Sequence, residues 1–288
     1  MQFELSFVKY HGCGNDFIII DELEGSRFTD EQRAKLAQKL CQRRFGVGAN
    51  DLLFLLPSEK WDAKLRIFDP DGSEADMCGN GLRCAADYLC NKLGKTEVFV
   101  ETRAGVRHVM RVGDQYRVHM GSLKTTLEEL SEFIKLNIPG ETRLLDLKLD
   151  FPEVGTIQVS FVNTGEPHAV VFVDDVDGED LGKYAAGIAA NRRVFPKGIS
   201  VNLAQVLDES TIKMRTYERG VWEETLACGT GATASAAVAL LTGRIKSNEV
   251  KVLCKGGTLT IKVEDEGKTL IMIGPATKVY EGKMFIEL

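Results

Sequence analysis

The strongest constraint on this chain is a stretch that it contains twice. Asp76-Met77-Cys78-Gly79-Asn80-Gly81-Leu82-Arg83-Cys84 has a counterpart 150 residues later, Leu226-Ala227-Cys228-Gly229-Thr230-Gly231-Ala232-Thr233-Ala234. Each copy reads Cys-Gly-polar-Gly and then opens an apolar, helix-forming run. Such a run puts a thiol and several free backbone N–H groups at one helix N-terminus, where anions are favoured and a thiol's pKa is lowered. The surroundings repeat too. Gly94 and Gly243 stand where each helix should stop. The extended runs 97–101 and 249–253 follow, then Gly105 or Gly256-Gly257, then the β-rich runs 106–110 and 258–263. A repeat of this length is a duplicated domain. Two related domains facing each other would bring two thiols to one cleft.

Length and composition agree with two medium-sized domains: 288 residues, 44% of them hydrophobic, suffice for two cores. A net charge of −6 without a block of like charges excludes nucleic acid as the expected partner. The N-terminal residues lack the pattern of a signal peptide, and no apolar run reaches the ~20 residues of a membrane span. Seven cysteines without a Cys-x-x-Cys pair read as reduced cytosolic thiols rather than as a disulfide or metal framework. No metal and no membrane contact are expected, and the expected compartment is the cytoplasm.

Along the chain, His11-Gly12-Cys13-Gly14-Asn15 reads as a tight turn between strands 3–9 and 18–20, presenting Asn15. Thr29-x-x-Gln32 has the form of a capping box, with a helix expected to about Arg43. Gly46-x-Gly48 precedes a strand, 52–56, so it is no dinucleotide fingerprint. Strand 65–68 ends in the turn Asp69-Pro70-Asp71-Gly72-Ser73, which delivers the chain to Cys78. The first thiol-bearing helix should run to about Lys92, with Cys84 and Cys90 as structural thiols. Strands follow near 97–101, 106–112 and 116–120. The polar segment 121–139 reads as a crossing with a short helix.

The second half predicts strands near 143–151, 156–162, 169–173, 200–206 and 211–217, and a helix over 180–190. His168 stands at a strand start, a position more often structural than catalytic. Glu218-Arg219-Gly220 closes strand 211–217. This acid and base are either a surface ion pair or ligands for the two charged ends of an amino acid.

Two cysteines without a disulfide motif, metal cluster or nucleotide loop suggest acid–base work. One thiolate removes a proton from carbon, a thiol on the opposite face returns one, and a stereogenic carbon inverts. The pair holds one proton between its members, so its titration belongs to both. Moderate depression of the thiol pKa from ~8.5 suits this role. No pyridoxal-binding motif is evident, so no cofactor is expected. The two helix N-termini would bind the substrate carboxylate as charge develops, through the backbone of Gly79, Asn80, Gly229 and Thr230.

With these residues in view, the chain resembles the diaminopimelate epimerase family. The likeness spans nearly the whole chain. It rests on His11-Gly12-x-Gly14-Asn15-Asp16-Phe17, Asp71-Gly72-Ser73-Glu74, Cys78-Gly79-Asn80-Gly81-x-Arg83-Cys84, Pro167-His168, Val201-Asn202, Tyr217-Glu218-Arg219-Gly220 and Ala227-Cys228-Gly229-Thr230-Gly231. The resemblance implies an α/β (α+β) fold of two pseudo-symmetric domains, each a β-barrel-like sheet around a central helix. The first domain would be 1–121 plus a returning C-terminal strand within 277–288, near Met284–Glu287. The second would be 122–276, with the active site in the cleft between them.

It also implies a cofactor-independent isomerase that interconverts L,L- and meso-diaminopimelate in lysine and peptidoglycan synthesis, as a homodimer. Cys78 and Cys228 would be the acid–base thiols, with Glu218 and His168 supporting proton transfer and holding the substrate amine. Asn15, Asp69, Asn202 and Arg219 would contact substrate, with Arg219 and Asn202 directed to its distal end.

Some positions depart from the common pattern of that family. Asp69 stands where an asparagine is usual, Glu166 replaces the asparagine of Gly-Asn-Pro-His, and Asn50-Asp51 replaces an aspartate followed by glycine or glutamine. The segment from Glu218 to Cys228 is one residue longer than usual. An extra carboxylate at the distal end would repel a carboxylate substrate unless protonated or turned toward an amine.

Two other readings remain: a racemase of another amino acid, such as histidine or proline, and a non-catalytic amino-acid-binding or thiol-redox module in which Cys78 and Cys228 form a disulfide. Relatives that isomerise double bonds lack the cysteine pair.

Overall fold

The computed structural model describes residues 2–287. The chain divides into two compact units: one holds the chain up to His119 together with the segment from Ile273, the other is Met120–Met272.

In the first unit, the strand Gln2–Gly12 is flanked by two antiparallel neighbours, Asn15–Asp21 and the last strand, Thr277–Glu287. A two-residue turn, Cys13-Gly14, joins the hairpin, with φ of 53° and 81°. Paired positive φ values give a hairpin turn the twist its strands need. The chain then runs through helix α1 (Asp30–Leu40), capped as its sequence predicts: Thr29 Oγ1 accepts from Gln32 N, and the Gln32 side chain reaches back to Thr29 N. The helix stops at Leu40 rather than Arg43, because the chain turns there so that Gly48 N can reach Leu40 O.

Strand Asp51–Leu56 lies parallel to Asn15–Asp21, and Ala63–Phe68 antiparallel to it. The short strand Glu74–Ala75 folds back onto Ala63–Phe68 and leads into helix α2 (Gly79–Leu93). Glu97–Thr102 lies parallel to Ala63–Phe68, and Gly105–Val112 and Gln115–Gly121 follow as antiparallel hairpins.

The second unit repeats this order strand for strand. Gly155–Asn163 and Pro167–Phe172 form the opening hairpin. Helix α3 (Leu181–Tyr184), prolonged by a π-helical turn Ala185–Ala189, makes the crossover to Ser200–Asp208, which is parallel to Pro167–Phe172. Thr211–Tyr217, the short Glu224–Thr225 and helix α4 (Gly229–Leu241) follow, then Glu249–Cys254 and Gly257–Glu264.

Each long helix is the centre of its unit. Helix α2 packs against strands from Gln2–Gly12 through Gly105–Val112, and α4 against strands from Gly155–Asn163 through Gly257–Glu264. Helix α4 is built of small apolar residues and is buried nearly all round, as expected of a helix with no polar face.

The registers align the two units residue by residue. Phe17, Leu53, Ile67 and Asp69 occupy the places of His168, Asn202, Thr216 and Glu218. Arg66 and Glu74 correspond to Arg215 and Glu224, and both pairs are ion pairs.

Two expectations differ in detail. The segment 121–139 contains turns but no helix, because Pro139 and Gly140 fold it back: Glu128 N bonds Gly140 O, and Leu127 N bonds Thr142 O. The returning strand, expected within 277–288, spans Thr277–Glu287, well beyond the apolar Met284-Phe285-Ile286. Its exposed first half alternates too weakly to stand out, yet it pairs from His11↔Thr277 onward.

Candidate active site

Cys78 is the N-cap of α2 and Cys228 the N-cap of α4, both with extended backbone. Each Sγ accepts the N–H of the residue three positions on, Gly81 or Gly231, at 3.4 Å. A helix's first-turn N–H groups lack intrahelical acceptors. The thiols thus sit where Gly79 and Asn80, or Gly229 and Thr230, present backbone amides.

The glycine that closes each Cys-Gly-polar-Gly motif is close to its neighbours, more so in the second copy than in the first. A Cβ on Gly231 would lie 2.4 Å from Asn202 Oδ1 and 3.3 Å from Cys228 Sγ, and one on Gly81 would lie 3.3 Å from the Phe17 ring.

In the first unit the thiol faces amides. Cys78 Sγ donates to Asn15 Oδ1 at 3.8 Å, and Asn80 Nδ2 donates to the same oxygen at 3.0 Å. Arg83, fully buried, holds Asn80 through Nη2→Oδ1 at 2.9 Å and also donates from Nε to Pro275 O at 3.1 Å. Sequence reasoning gave Arg83 no role. Its signal was a guanidinium inside an otherwise apolar helical run.

Asp69 is held in its own turn, accepting from Ser73 Oγ at 3.1 Å, and against Asp51. Burial pushes its carboxyl pKa up, opposed by those hydrogen bonds. Asn50 exchanges hydrogen bonds with Asp16, each side chain accepting the other's backbone N–H at 3.1 Å.

In the second unit the thiol faces a carboxylate. Glu218 hydrogen-bonds the Cys228 thiol, and Thr225 Oγ1 holds Glu218 Oε2 at 2.7 Å. Thr230 Oγ1 lies 3.3 Å from Sγ. The Cys228 pKa is therefore raised well above the usual thiol value, first by burial and then by the Glu218 charge, while Thr230 and Gly231 pull the other way. This reverses the depression expected from the helix N-terminus: desolvation and a carboxylate outweigh the helix's partial charge at this site.

His168 is buried, and burial, with Arg219 adding to it, lowers its pKa to about 3. Its Nδ1 accepts from Asn202 Nδ2 at 3.1 Å, since that amide also donates to Ala169 O at 3.2 Å and its Oδ1 accepts from Thr216 Oγ1 at 2.9 Å. The remaining Nε2–H has no partner among the described residues. A neutral imidazole offering a donor suits a carboxylate or carbonyl rather than an ammonium. Asn202 is wholly buried, and its amide bonds these three partners, His168 among them.

Arg219 donates to Glu166 through Nε, at 2.9 Å, and Nη2. The longer loop after Glu218 closes with Trp222 N→Glu218 O at 2.7 Å, and the Arg192 guanidinium covers the Trp222 ring at 4.6 Å.

A model of the family described as diaminopimelate epimerase matches residues 7–126 and 160–279, the two halves of the repeat. The chain belongs to the diaminopimelate epimerase family. Among members of that family, the diaminopimelate epimerase of Methanocella arvoryzae is 42% identical over 99% of this chain and 98% of its own length. That of Archaeoglobus fulgidus is 40% identical over 96% and 95%.

Solved structures share the diaminopimelate epimerase fold at lower identity. A hydroxyproline epimerase from Agrobacterium vitis, with bound trans-4-hydroxy-L-proline, aligns over 98% of this chain and 91% of its own, with a TM-score of 0.68 and 16% identity. A phenazine biosynthesis protein of the PhzF family from Bacillus anthracis aligns over 99% and 100%, with a TM-score of 0.68 and 21% identity.

Proposed function

We propose that this protein is a diaminopimelate epimerase, inverting one α-carbon of diaminopimelate between the L,L and meso forms without a cofactor. The observation that carries the reading is the pair of cysteine-capped helices, one in each unit, in a chain of this family. The reaction calls for one thiol on each face of the α-carbon, and Cys78 and Cys228 supply them.

Cys228 is the proton donor of the resting protein. Its burial and the Glu218 carboxylate favour the thiol over the thiolate. Cys78 takes the α-proton, and the roles reverse in the other direction. As charge moves onto the substrate carboxylate, the amides of Gly79, Asn80, Gly229 and Thr230 stabilise it, each such donor being worth ~3 kcal/mol in a comparable site. Glu218 receives the substrate ammonium, and His168 Nε2–H adds a donor for the carboxylate. Asn15 orients the Cys78 side, Asp69 contacts the substrate, and Arg219 takes the distal carboxylate. The setting is lysine and peptidoglycan precursor synthesis, by a cytoplasmic homodimer.

Proton NMR of L,L-diaminopimelate with the protein in D2O and reductant tests the reading. Loss of the α-proton signal with growth of the meso isomer is expected, and neither should occur in Cys78→Ala or Cys228→Ala. Absence of exchange in the unmodified protein would reject diaminopimelate as substrate.

A further inference from the structure

Gly220 to Glu223 are the exposed tip between strand Thr211–Tyr217 and the short strand Glu224–Thr225. The tip is bonded to Glu218 on both sides of its peptide: Trp222 N donates to Glu218 O at 2.7 Å, and Glu218 N to Glu223 O at 3.0 Å. Trp222 holds a left-handed backbone there, with φ of 59°. Glycine takes that conformation freely, whereas a bulky residue is rare in it. What the tryptophan adds is its ring. The ring lies across Gly198, where an added Cβ would collide with it and come within 2.5 Å of Arg192 Nη1. The Arg192 guanidinium sits over the ring, 4.6 Å from its centre, within the reach of a cation–π contact. Two residues past Gly198, Ser200 Oγ accepts from Arg219 N at 3.0 Å. Both ends of the tip are thus fastened to the segment 192–200.

We propose that Trp222 is a positioning residue: seated on Gly198 and covered by Arg192, its ring anchors the loop that keeps Glu218 against the Cys228 thiol. Its bearing on catalysis rests on the epimerase reading above; the anchoring does not. The Glu218 carboxylate accepts from Thr225 Oγ1 at 2.7 Å and hydrogen-bonds the Cys228 thiol. That placement follows from where the Glu218 backbone sits, and the tip sets it. With the ring unseated, the loop gains freedom, Glu218 moves off and water reaches the sulfur. Burial and the Glu218 charge are the two leading causes that keep Cys228 a thiol, so both changes favour the thiolate.

The test is the rate at which iodoacetamide labels Cys228 at pH 8, read by peptide mapping with no substrate present. In Trp222→Gly, whose backbone suits the left-handed turn, labelling should rise about tenfold or more, the size expected when a hydrogen bond to a charged group is lost. Cys78, in the other unit, should label at its former rate. Trp222→Phe, which keeps a ring for Arg192, should stay near the wild type. Gly198→Ala keeps the tryptophan but removes its seat; it should speed Cys228 in the same way, and it decides the matter should Trp222→Gly not fold. Unchanged Cys228 labelling would overturn the proposal. So would equal acceleration of Cys78, which marks general loosening, or equal acceleration in Trp222→Phe, which denies the ring its role. With diaminopimelate, Trp222→Gly should lower kcat more than it raises KM. No exchange of diaminopimelate by the wild type is a different failure, that of the epimerase reading, and leaves the labelling result standing.

Discussion

Lowering the pH from 7.5 to 5 should cost the second unit stability through one residue, His168. In the unfolded chain its pKa is the ordinary 6.5, and in the folded protein burial brings it to about 3. The folded state therefore binds fewer protons between these values. The contribution is complete above pH 6.5 and is lost as pH falls toward 3. Linkage puts the loss at ~2 kcal/mol by pH 5, and at ~1.4 kcal/mol more for each further unit down to about pH 4. The assay is urea unfolding of the wild type and of His168→Asn at pH 7.5, 6.5, 5.5 and 5. The variant lacks the imidazole but can still accept from Asn202. The difference between the two proteins should shift by ~2 kcal/mol across the series. Parallel pH profiles would refute the reasoning. So would an NMR titration in which the His168 ring protonates near pH 6.5 in the folded protein.

Further outcomes follow from the same geometry. Gly231→Ala should lower Tm, because overpacking against Asn202 costs ~1–3 kcal/mol and helix propensity returns at most ~1; Gly81→Ala, with its nearest contact at 3.3 Å, should be close to neutral, and equal Tm losses would contradict this. Brief iodoacetamide treatment at pH 8 should label half-buried Cys78 ahead of buried Cys228, whose raised pKa keeps it a thiol; peptide mapping showing equal labelling would count against a protonated Cys228. Glu224, held by Arg215 and then Lys255, has its pKa lowered to about 2 from 4.5. Its contribution is whole above pH 4.5 and fades toward pH 2; solvent screening of so open a pair holds it to ~1 kcal/mol, and acid unfolding of Glu224→Gln should lack that part of the slope.

The sequence carries the thiol-bearing helices plainly, because Cys-Gly-polar-Gly marks both, and with them the strands that follow. The earlier half of the duplication is hidden, for a physical reason. Where one unit places Phe17, Leu53 and Ile67 behind its helix, the other places His168, Asn202 and Thr216. The backbone register survived while the polarity changed, so only strand pairing reveals the match. Cys228 meets Thr230 and Glu218, whereas Cys78 meets Asn15. The proton preference of Cys228 was illegible because it depends on burial and on Glu218, both tertiary properties. Glu166 was visible as a departure from the family pattern, but its partner Arg219 lay 53 positions away, too far for local sequence to pair them.

The last strand, Thr277–Glu287, lies against the first, Gln2–Gly12. On the ribosome, that pairing waits until residues 277–287 have been made. The unit Met120–Met272 is one unbroken segment, made in full before the strand Thr277–Glu287 is added. The other unit, begun first, must keep one flank of its opening strand uncovered until that late strand arrives. Such an edge invites intermolecular pairing, and long-range closure is slow. The half of the chain made first is thus the last to finish, and it bears the greater aggregation risk during biogenesis.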